Sequence, residues 1–322
     1  MVTLLFTENI FQGKYNIRQL KRKEKIVTKF NKIIWAFYEI PLRYYELHTM
    51  KCGWPGGRVP RPVIFPVARG DRVWYNTVSK GGEHMNHEID TLREWIAGSD
   101  NIVFFGGAGV STESGIPDFR SVDGLYHQQY RYPPETIISH SFFAANPEEF
   151  YRFYRDKLVV RGARPNRAHL RLAELEREGK LRAVITQNID GLHQAAGSRE
   201  VIELHGSTLR CYCERCGKRY PVETVNDSEG VPRCDCGGVI RPDVVLYEEG
   251  LDEQNLRKAI GYIREADVLI VGGTSLIVYP AAGLINYYRG NKLVLVNLSE
   301  TPRDSEADLL VRGRIGEVFS QV

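Results

Sequence analysis

Five short apolar runs constrain the fold of this 322-residue chain more than any other sequence feature. They occupy residues 101–105, 183–186, 268–273, 293–298 and 308–311. Their apolar residues are continuous rather than alternating, which is typical of strands that are buried on both faces. Segments with helical periodicity separate the runs, and such alternation predicts a parallel sheet with helices on both faces. The expected fold class is therefore α/β.

Polar or glycine-rich segments follow four of these runs, at residues 106–109, 187–190, 272–275 and 297–298. The carboxyl ends of parallel strands meet at one sheet edge, where open α/β sheets bind their ligands. Glycines allow close approach to a diphosphate, and amide groups at a helix start favour its charge. Tight turns also require glycine, so the four loops together, rather than one alone, predict a nucleotide site.

The first of these loops differs from the dehydrogenase motif. A dehydrogenase would show Gly-x-Gly-x-x-Gly and an acidic residue roughly 20 positions later. Here Gly107-Ala108-Gly109 is followed by Val110-Ser111-Thr112, and the next predicted strand begins only at residue 183. This interval is well beyond the usual α/β connection and predicts an inserted substructure. Hydride transfer is therefore disfavoured.

Five of the six cysteines lie between Cys211 and Cys236. In a chain without an export signal, this clustering favours a metal over disulfides. Cys213 with Cys216 and Cys234 with Cys236 form two pairs, which predicts a closed tetrahedral Zn²⁺ site of structural type. Cys211 is interpreted as a thiol that does not bind the metal. The segment between the pairs lacks the aromatic and basic interleaving of a nucleic-acid-binding ribbon, so a small zinc lobe is expected instead.

The first 84 residues differ in charge from the rest of the chain. They hold 15 Lys and Arg against 6 Asp and Glu, whereas the remaining 238 residues hold 28 against 34. One interpretation is a basic arm for nucleic acid or a membrane surface. The other is that this leader is disordered or not native, because residues 80–85 can be encoded by a purine-rich AGGAGG just before an ATG. On that hypothesis translation begins at Met85, and the measured mass of the native protein is that of a chain without residues 1–84.

From Met85 onward the motifs together resemble the sirtuins, the NAD-dependent protein-lysine deacylases. The matching segments are 107–120, 165–169, 186–193, 204–206, 241–245 and 273–275, together with the four paired cysteines. The resemblance covers residues 85–322 and implies one catalytic domain. Its Rossmann-like part would comprise about 85–120, 165–205 and 245–322. A smaller helical and zinc-binding lobe would comprise about 121–164 and 206–244.

The resemblance also implies roles for individual residues. His205 would be the general base, although by its chemistry alone it could equally be a hydrogen-bonded core histidine. His169 and His193 are expected to pack or hydrogen-bond, and His140 is given no role. The residues expected to contact NAD are Ala108, Thr112 and Arg120 at the diphosphate and ribose, Phe119 over the reactive ribose carbon, Gln187, Asn188, Ile189 and Asp190 at the nicotinamide half, Thr274, Ser275, Asn297 and Leu298 at the adenosine half, Ile315 beside adenine, and His205.

The peptide site is expected at residues 242–249, as an edge to which an extended substrate adds as a strand. Val245 and Tyr247 would lie near the lysine. Sirtuins usually have Phe-Gly-Glu where this chain has Tyr247-Glu248-Glu249. Members that prefer acidic acyl groups carry Tyr-x-x-Arg in the helical lobe, and the matching positions look like Tyr154 and Lys157.

The expected function is an NAD-dependent protein-lysine deacetylase that transfers the acyl group to ADP-ribose and releases nicotinamide. The alternatives are an ADP-ribosyltransferase, a desuccinylase or demalonylase, and a zinc-stabilised NAD sensor or scaffold. The expected cofactors are NAD, as co-substrate, and one structural Zn²⁺. The expected partners are acetyl-lysine proteins or peptides, without nucleic acid or membrane, for a cytoplasmic monomer. No apolar run reaches the roughly 18 residues of a membrane span.

Overall fold

The computed structural model of the protein describes residues 81–120, 124–125 and 130–322. The predicted leader therefore lies outside the described residues, apart from 81–84. The strands are β1 Ile102–Gly106, β2 Leu181–Thr186, β3 Val201–Glu203, β4 Gly206–Cys213, β5 Arg219–Tyr220, β6 Ile240–Val244, β7 Val268–Gly272, β8 Leu293–Asn297 and β9 Leu309–Arg312. The α-helices are α1 Gly81–Ala97, α2 Pro134–Ile137, α3 His140–Ala145, α4 Pro147–Phe153, α5 Arg167–Arg177, α6 Leu192–Ala196, α7 Glu223–Asn226, α8 Glu253–Glu265 and α9 Ile315–Phe319. Shorter 3₁₀ turns lie at Ala108–Val110, Thr112–Ser114, Ala281–Tyr287 and Asp304–Glu306, and a π-turn lies at Tyr154–Leu158.

The main sheet has six parallel strands in the order β3-β2-β1-β7-β8-β9. All five predicted strands are present, with ends that differ by up to two residues. The sixth strand, β3, was not among the five predicted runs. It has only three residues, so its apolar run is short. The strand order reverses between β1 and β7, and a reversal of this kind opens a ligand-binding crevice at the carboxyl ends of the strands.

The sheet is covered on both faces, as the continuous apolar runs predict. In β1, Ile102 and Phe104 point into one core with the side chains of α1, α5 and α9. Val103 and Phe105 point into a second core with α8 and the 281–287 turn. Alternate residues of one strand thus enter different cores, which is why the strand has no polar side.

Helix ends follow local sequence signals. Asn166 caps α5: its side-chain oxygen accepts from the backbone N–H of Ala168, and its own N–H donates to Nδ1 of His169. Asp252 caps α8 in the same way by accepting from the N–H of Asn255. Each cap satisfies helix N–H groups that have no partner within the helix. In the part of the chain that is described, no helix combines the length and apolar character that crossing a membrane requires.

A smaller unit fills the long intervals between the strands of the main sheet. Its sheet is antiparallel, in the order β5-β4-β6. Side chains from α2 to α4 share a third hydrophobic core with Cys211, Cys213, Cys234 and Ile240. Two separate stretches of sequence, the helical one and the cysteine-bearing one, therefore stabilise each other as one packed lobe.

Candidate active site

The loops after β1 and β7 contact each other directly at the reversal of strand order. The N–H of Gly109 donates to the carbonyl of Gly273 at 2.8 Å. A Cβ atom on Gly109 would lie 2.8 Å from Cα of Gly273, and a Cβ atom on Gly107 would lie 2.7 Å from Cβ of Thr274. The glycines are therefore required by contact between the two loops, in addition to any approach of a ligand.

Ser111 connects the loops that follow β1 and β2. Its hydroxyl donates to Oδ2 of Asp190 at 2.6 Å and accepts from Nδ2 of Asn188 at 3.1 Å. The other oxygen of Asp190 accepts from the N–H of Leu192 at the start of α6. Both Asn188 and Ser111 are buried. The structure thus brings the predicted nicotinamide residues together around a serine that was not among the predicted site residues.

Gln187 and Ile189 bind neighbouring segments through their side chain or backbone. Nε2 of Gln187 donates to Oγ1 of Thr274 at 3.1 Å, which joins the β2 loop to the β7 loop. The carbonyl of Ile189 accepts from both the N–H and the hydroxyl of Thr208. The β2 loop is therefore fixed on two sides, by the β7 loop and by β4. Ser275, the next predicted residue of the β7 loop, is half-buried.

The remaining predicted NAD residues differ widely in exposure. On the adenosine side, Asn297 is half-buried, Leu298 is 66% exposed and Ile315 is only 3% exposed. The Ile315 side chain belongs to the core of the main sheet, where it packs against Gly272 at the end of β7. Ile315 therefore forms the floor of this end of the crevice, whereas Leu298 projects into solvent.

The residues near the Asp-Phe-Arg segment lie toward the smaller lobe. Phe119 is half-buried and packs against the core of that lobe. Arg120 is exposed, and its N–H donates to Oδ1 of Asp118. Ala108 is half-buried, and the exposed Thr112 donates its hydroxyl to the carbonyl of Gly109. Phe119 thus extends from the nucleotide loop to the second lobe.

His205 follows β3. It contacts the loop after β2 through Gln187 and the predicted substrate segment, residues 242–249, through Val245. Its Nδ1 is 2.9 Å from the carbonyl oxygen of Gln187. Because a carbonyl only accepts, Nδ1 carries the proton and Nε2 keeps the lone pair. Burial lowers the pKa of His205 below 6.5, although the hydrogen bond to Gln187 opposes that shift. The imidazole is therefore neutral at pH 7, as a general base requires.

His169 and His193 pack against each other beneath the crevice, as predicted. Their ring centroids are 4.7 Å apart, and both side chains are buried. Burial lowers the pKa of His169 to about 4, and it lowers the pKa of His193 well below its usual 6.5. Both rings are therefore neutral and stabilise the helices that position Asn166 and Asp190.

The four predicted metal ligands converge. The sulfur atoms of Cys213, Cys216, Cys234 and Cys236 all lie within 4.8 Å of one another. The Cys213–Cys236 and Cys216–Cys234 sulfur pairs are 3.5 and 3.6 Å apart. Neighbouring sulfurs around tetrahedral Zn²⁺ are about 3.8 Å apart if each Zn–S bond is about 2.3 Å. The four thiols therefore suit one structural Zn²⁺, which leaves no ligand position for water.

Cys211 lies outside this cluster. Its thiol contacts the backbone carbonyls of Tyr220 and Pro221 at 3.2 and 3.3 Å. Burial raises the pKa of Cys211, so the thiol keeps its proton. This geometry agrees with the interpretation of Cys211 as a thiol that does not bind the metal.

Three backbone N–H groups of the predicted substrate segment, residues 242–249, have partners within the chain. The N–H of Val245 donates to the carbonyl of His205, and the N–H of Tyr247 donates to the carbonyl of Ile138. The N–H of Leu246 donates to the carboxylate of Glu249. The three backbone N–H groups at 245–247 are thus bonded within the chain, to residues 205, 249 and 138. These three N–H groups are therefore not free for strand pairing, and the addition of a peptide strand along residues 242–249 stays a prediction.

A buried ion pair holds this segment and was missed by sequence reasoning. The guanidinium of Arg241 donates to both carboxylate oxygens of Glu249, at 2.7 and 3.0 Å. It also donates to the carbonyl of Val244. Burial opposes ionisation of Glu249, but the hydrogen bonds from Arg241 prevail and lower its pKa. His140, to which no role was assigned, places Nδ1 2.9 Å from the same carboxylate.

Two further side chains position the nucleotide loop from outside it. Nδ2 of Asn166 donates to the carbonyl of Val110 at 2.7 Å and to the hydroxyl of Ser114 at 3.0 Å. The carboxylate of Glu113 accepts from the N–H of Gly316 at 2.6 Å. Asn166 and Arg241 belong to the quoted motifs, which was the available signal. Glu113 and His140 contact partners 203 and 109 residues away, which no local pattern reveals.

Comparison with known proteins assigns the chain to a family. The model of the Sir2 family matches residues 107–280. A protein of Clostridium perfringens named NAD-dependent protein deacetylase is 57% identical over 242 residues, which cover 74% of this chain and 99% of the relative. A protein of the same name from Staphylococcus aureus strain NCTC 8325 is 45% identical over 230 residues, or 70% of this chain and 94% of the relative.

Solved structures show the same fold. A structure described as Sir2 with a p53 peptide and NAD⁺ matches with a TM-score of 0.66 and 45% identity, over 73% of this chain and 96% of that one. A Sir2 structure described with a deacetylated p53 peptide and 3′-O-acetyl ADP ribose matches with a TM-score of 0.67 and 44% identity, over the same shares. The chain belongs to the Sir2 family.

Proposed function

We propose that this protein is an NAD-dependent protein-lysine deacetylase, which transfers the acetyl group of acetyl-lysine to ADP-ribose and releases nicotinamide. The observation that carries the proposal is the position of His205. Its ring is hydrogen-bonded to the β2 loop, and its carbonyl is bonded to the substrate segment at Val245. The names of the curated relatives and the ligands of the Sir2 complexes support this activity.

The convergent loops suit NAD in their chemistry. Glycine backbone, hydroxyl and amide groups meet at the reversal of strand order, and such groups bind diphosphates and sugar hydroxyls. We assign the diphosphate to the 107–112 loop with Arg120, the nicotinamide half to Gln187–Asp190, and the adenosine half to Thr274, Ser275, Asn297 and Leu298. Ile315 would support adenine from the core side. Ser111 orients Asp190 and Asn188 in this assignment.

The chain's own residues perform three tasks in the reaction. NAD supplies, when bound, a ribose carbon that becomes electron-poor as nicotinamide leaves. Phe119 shields this carbon from water, since stray water would give plain hydrolysis. The neutral His205 takes a proton from a ribose hydroxyl at Nε2, a role that contributes typically about 10²–10⁴-fold. The loop network holds the reactants in line, which is a matter of positioning.

Val245 and Tyr247 are proposed to contact the acyl-lysine through their side chains. Val245 is half-buried beside His205, and Tyr247 is 38% exposed. Because the N–H groups at 245–247 are bonded within the chain, affinity here depends on side-chain packing and on other segments. The zinc site, formed by Cys213, Cys216, Cys234 and Cys236, braces the smaller lobe and takes no part in the chemistry.

The acyl group is proposed to be acetyl rather than succinyl or malonyl. Tyr154 is almost completely buried in the core of the smaller lobe. Nζ of Lys157 is 3.2 Å from the carboxylate of Asp156 and 5.6 Å from the ring centroid of Tyr130. A lysine that already has a carboxylate partner gives little attraction to an acidic acyl group. Tyr154 and Lys157, the positions that match Tyr-x-x-Arg, are therefore not arranged to bind an acidic acyl group.

One experiment separates the candidate activities. The protein is incubated with NAD and three peptides that carry acetyl-, succinyl- or malonyl-lysine, and the products are identified by mass spectrometry. Deacetylation predicts nicotinamide and O-acetyl-ADP-ribose in equal amounts, with the acetylated peptide preferred. ADP-ribosylated protein would support the transferase, and the absence of any product would support a sensor or scaffold.

The remaining expectations about the whole protein stay proposals. We propose that its partners are acetyl-lysine proteins or peptides, that it binds neither nucleic acid nor membrane, and that it is a monomer. We also propose a cytoplasmic location, because four zinc-binding thiols need a compartment that keeps them reduced. Size-exclusion chromatography coupled to light scattering tests the monomer, and a mass near twice 36.7 kDa would contradict it.

A further inference from the structure

Glu248 has an unusual backbone conformation for its residue type. Its φ angle is +75°, and within the described residues only one other residue besides glycines, Leu276, has a positive φ. A side chain in this left-handed region costs of order 1 kcal/mol or more relative to glycine. The residue follows directly after Tyr247, which we assign to the substrate site. A strained residue at such a place is a reason to look for a function.

The carboxylate of Glu248 is held by Ser141 in α3. One oxygen accepts from the N–H of Ser141 and the other from its hydroxyl, both at 2.9 Å. The backbone beside it is held as well, because the carbonyl of Tyr247 accepts from the N–H of His140. These bonds fix the carboxylate in one position despite its exposure.

Within the part of the chain that the structure describes, the carboxylate of Glu248 forms no ion pair, in contrast to that of its neighbour Glu249. Glu249 is neutralised by the buried Arg241. No Lys, Arg or His side chain among residues 87–120, 124–125 and 130–322 forms an ion pair within 4.0 Å of the Glu248 carboxylate. Ser141 donates hydrogen bonds but brings no positive charge. The loop thus presents one uncompensated and solvent-exposed negative charge.

Glu248 lies only three residues after Val245, whose backbone contacts His205, the proposed catalytic residue. Val245 is hydrogen-bonded to the backbone of His205, and three residues span at most about 11 Å from Val245 to Glu248. An extended peptide advances about 3.3 Å per residue. A side chain within about three positions of the acetyl-lysine can therefore come near this carboxylate.

We infer that Glu248 makes the enzyme prefer acetyl-lysine peptides with basic residues beside the acetyl-lysine over peptides with acidic residues there. The inference rests on the proposed function, because it requires the acetyl-lysine peptide to bind along the 245–249 loop. The carboxylate acts by attraction through solvent and takes no part in the chemistry. Glu248 is thus a specificity-determining residue, and Ser141 is the residue that positions it.

The test compares two fluorescent peptides that differ only in charge. Each carries one acetyl-lysine, flanked on both sides within three positions by either arginine or glutamate. Their Kd values are measured by anisotropy, and kcat/KM is measured with saturating NAD, at about 10 mM and about 500 mM ionic strength. At a charge separation near 8 Å, we expect about fivefold tighter binding of the arginine peptide at low salt and less than about twofold at high salt.

Three variants separate charge from backbone strain. Glu248→Gln keeps an oxygen that accepts from Ser141 and removes the charge, so the preference should fall below about twofold. Glu248→Gly removes both the charge and the strain, and should lose the preference equally without loss of thermal stability. Ser141→Ala removes one hydrogen bond but leaves the charge, and should retain most of the preference.

Glu229→Gln, which removes an exposed acid from the zinc-binding lobe, is the matched control and should keep the full preference. KM for NAD should be unchanged in all four variants. Equal Kd values for the two peptides in the unmodified protein, or a preference that survives in Glu248→Gln, would overturn the inference. Absence of deacetylation of both peptides would instead overturn the proposed function, and the binding data distinguish the two failures.

Discussion

At the scale of single residues, we propose that the chemistry depends on one imidazole, that of His205, whose tautomer is set by a backbone carbonyl. The contact between Nδ1 of His205 and Gln187 leaves Nε2 as the only basic position on the ring. His205→Ala should therefore lower kcat for nicotinamide release and acetyl transfer about 10²–10⁴-fold. Zinc content, measured by plasma mass spectrometry, should remain one per chain.

His87→Ala serves as the control for this change. His87 is exposed on α1 and makes no side-chain contact in the site. Its activity should equal that of the unmodified protein. Full activity of His205→Ala would contradict the assignment of the base.

The buried histidine pair makes stability depend on pH. The pKa of His169 is about 4 in the folded protein and 6.5 as the ordinary value, with burial as the main cause. The unfolded chain therefore binds a proton that the folded protein rejects between these values. The contribution to stability is fully present above pH 6.5 and is lost as pH falls toward 4, by about 2–3 kcal/mol. Urea unfolding between pH 7 and pH 4.5 measures this loss.

The matched variant is His169→Gln, since glutamine also fits the third position of a capping box. Its loss of unfolding free energy between pH 7 and pH 4.5 should be smaller than that of the unmodified protein by about 2–3 kcal/mol, which is the contribution of His169. His193 would still contribute to the remaining slope. An unchanged slope in this variant would show that His169 is not responsible.

At the scale of elements, the zinc-binding strands and the helices α2 to α4 depend on each other, because they share one core. Cys213→Ser should reduce zinc content to near zero and unfold the smaller lobe, since metal-binding energy is folding energy in such modules. Deacetylation should be lost with it, although no cysteine contacts the substrate. Zinc analysis and hydrogen exchange of β4 to β6 measure both effects.

Cys211→Ser tests the same element with the neighbouring cysteine. A serine hydroxyl can replace the thiol as a donor to the carbonyl of Tyr220, so zinc content should stay at one per chain. Activity should fall no more than about twofold, because a small isosteric change is usually tolerated in a core. Loss of zinc from Cys211→Ser would mean that the ligand set is wrong.

The contact between the β1 and β7 loops explains how the elements of the main sheet form the crevice. Continuous apolar runs place both strands in the centre of the sheet, and glycines then let the two loops touch. The crevice is thus a consequence of where the strand order reverses. A side chain at Gly109 would separate these loops whatever ligand they bind.

At the scale of the whole molecule, we propose that residues 85–322 form the catalytic domain. Helix α1 begins at Gly81, but the side chains that bind it to the core are Ile89, Leu92 and Ile96. All of them follow Met85. A chain that begins at Met85 should therefore have the same melting temperature, within about 2 °C, and the same kcat/KM as the full chain. A clear loss of either would show that the leader contributes to the domain.

The sequence by itself determined the α/β class, the five main strands, the zinc ligands and the set of loops at one sheet edge. These depend on local patterns, namely apolar continuity, glycine and cysteine spacing, because burial and metal binding select residue types directly. Only the tertiary structure decided that Ser111 joins Asp190 to Asn188, that Arg241 holds Glu249, and that the N–H groups of residues 245–247 are bonded within the chain. Most of these contacts join residues far apart in the chain, and their hydrogen bonds depend on positions that only the packed core fixes.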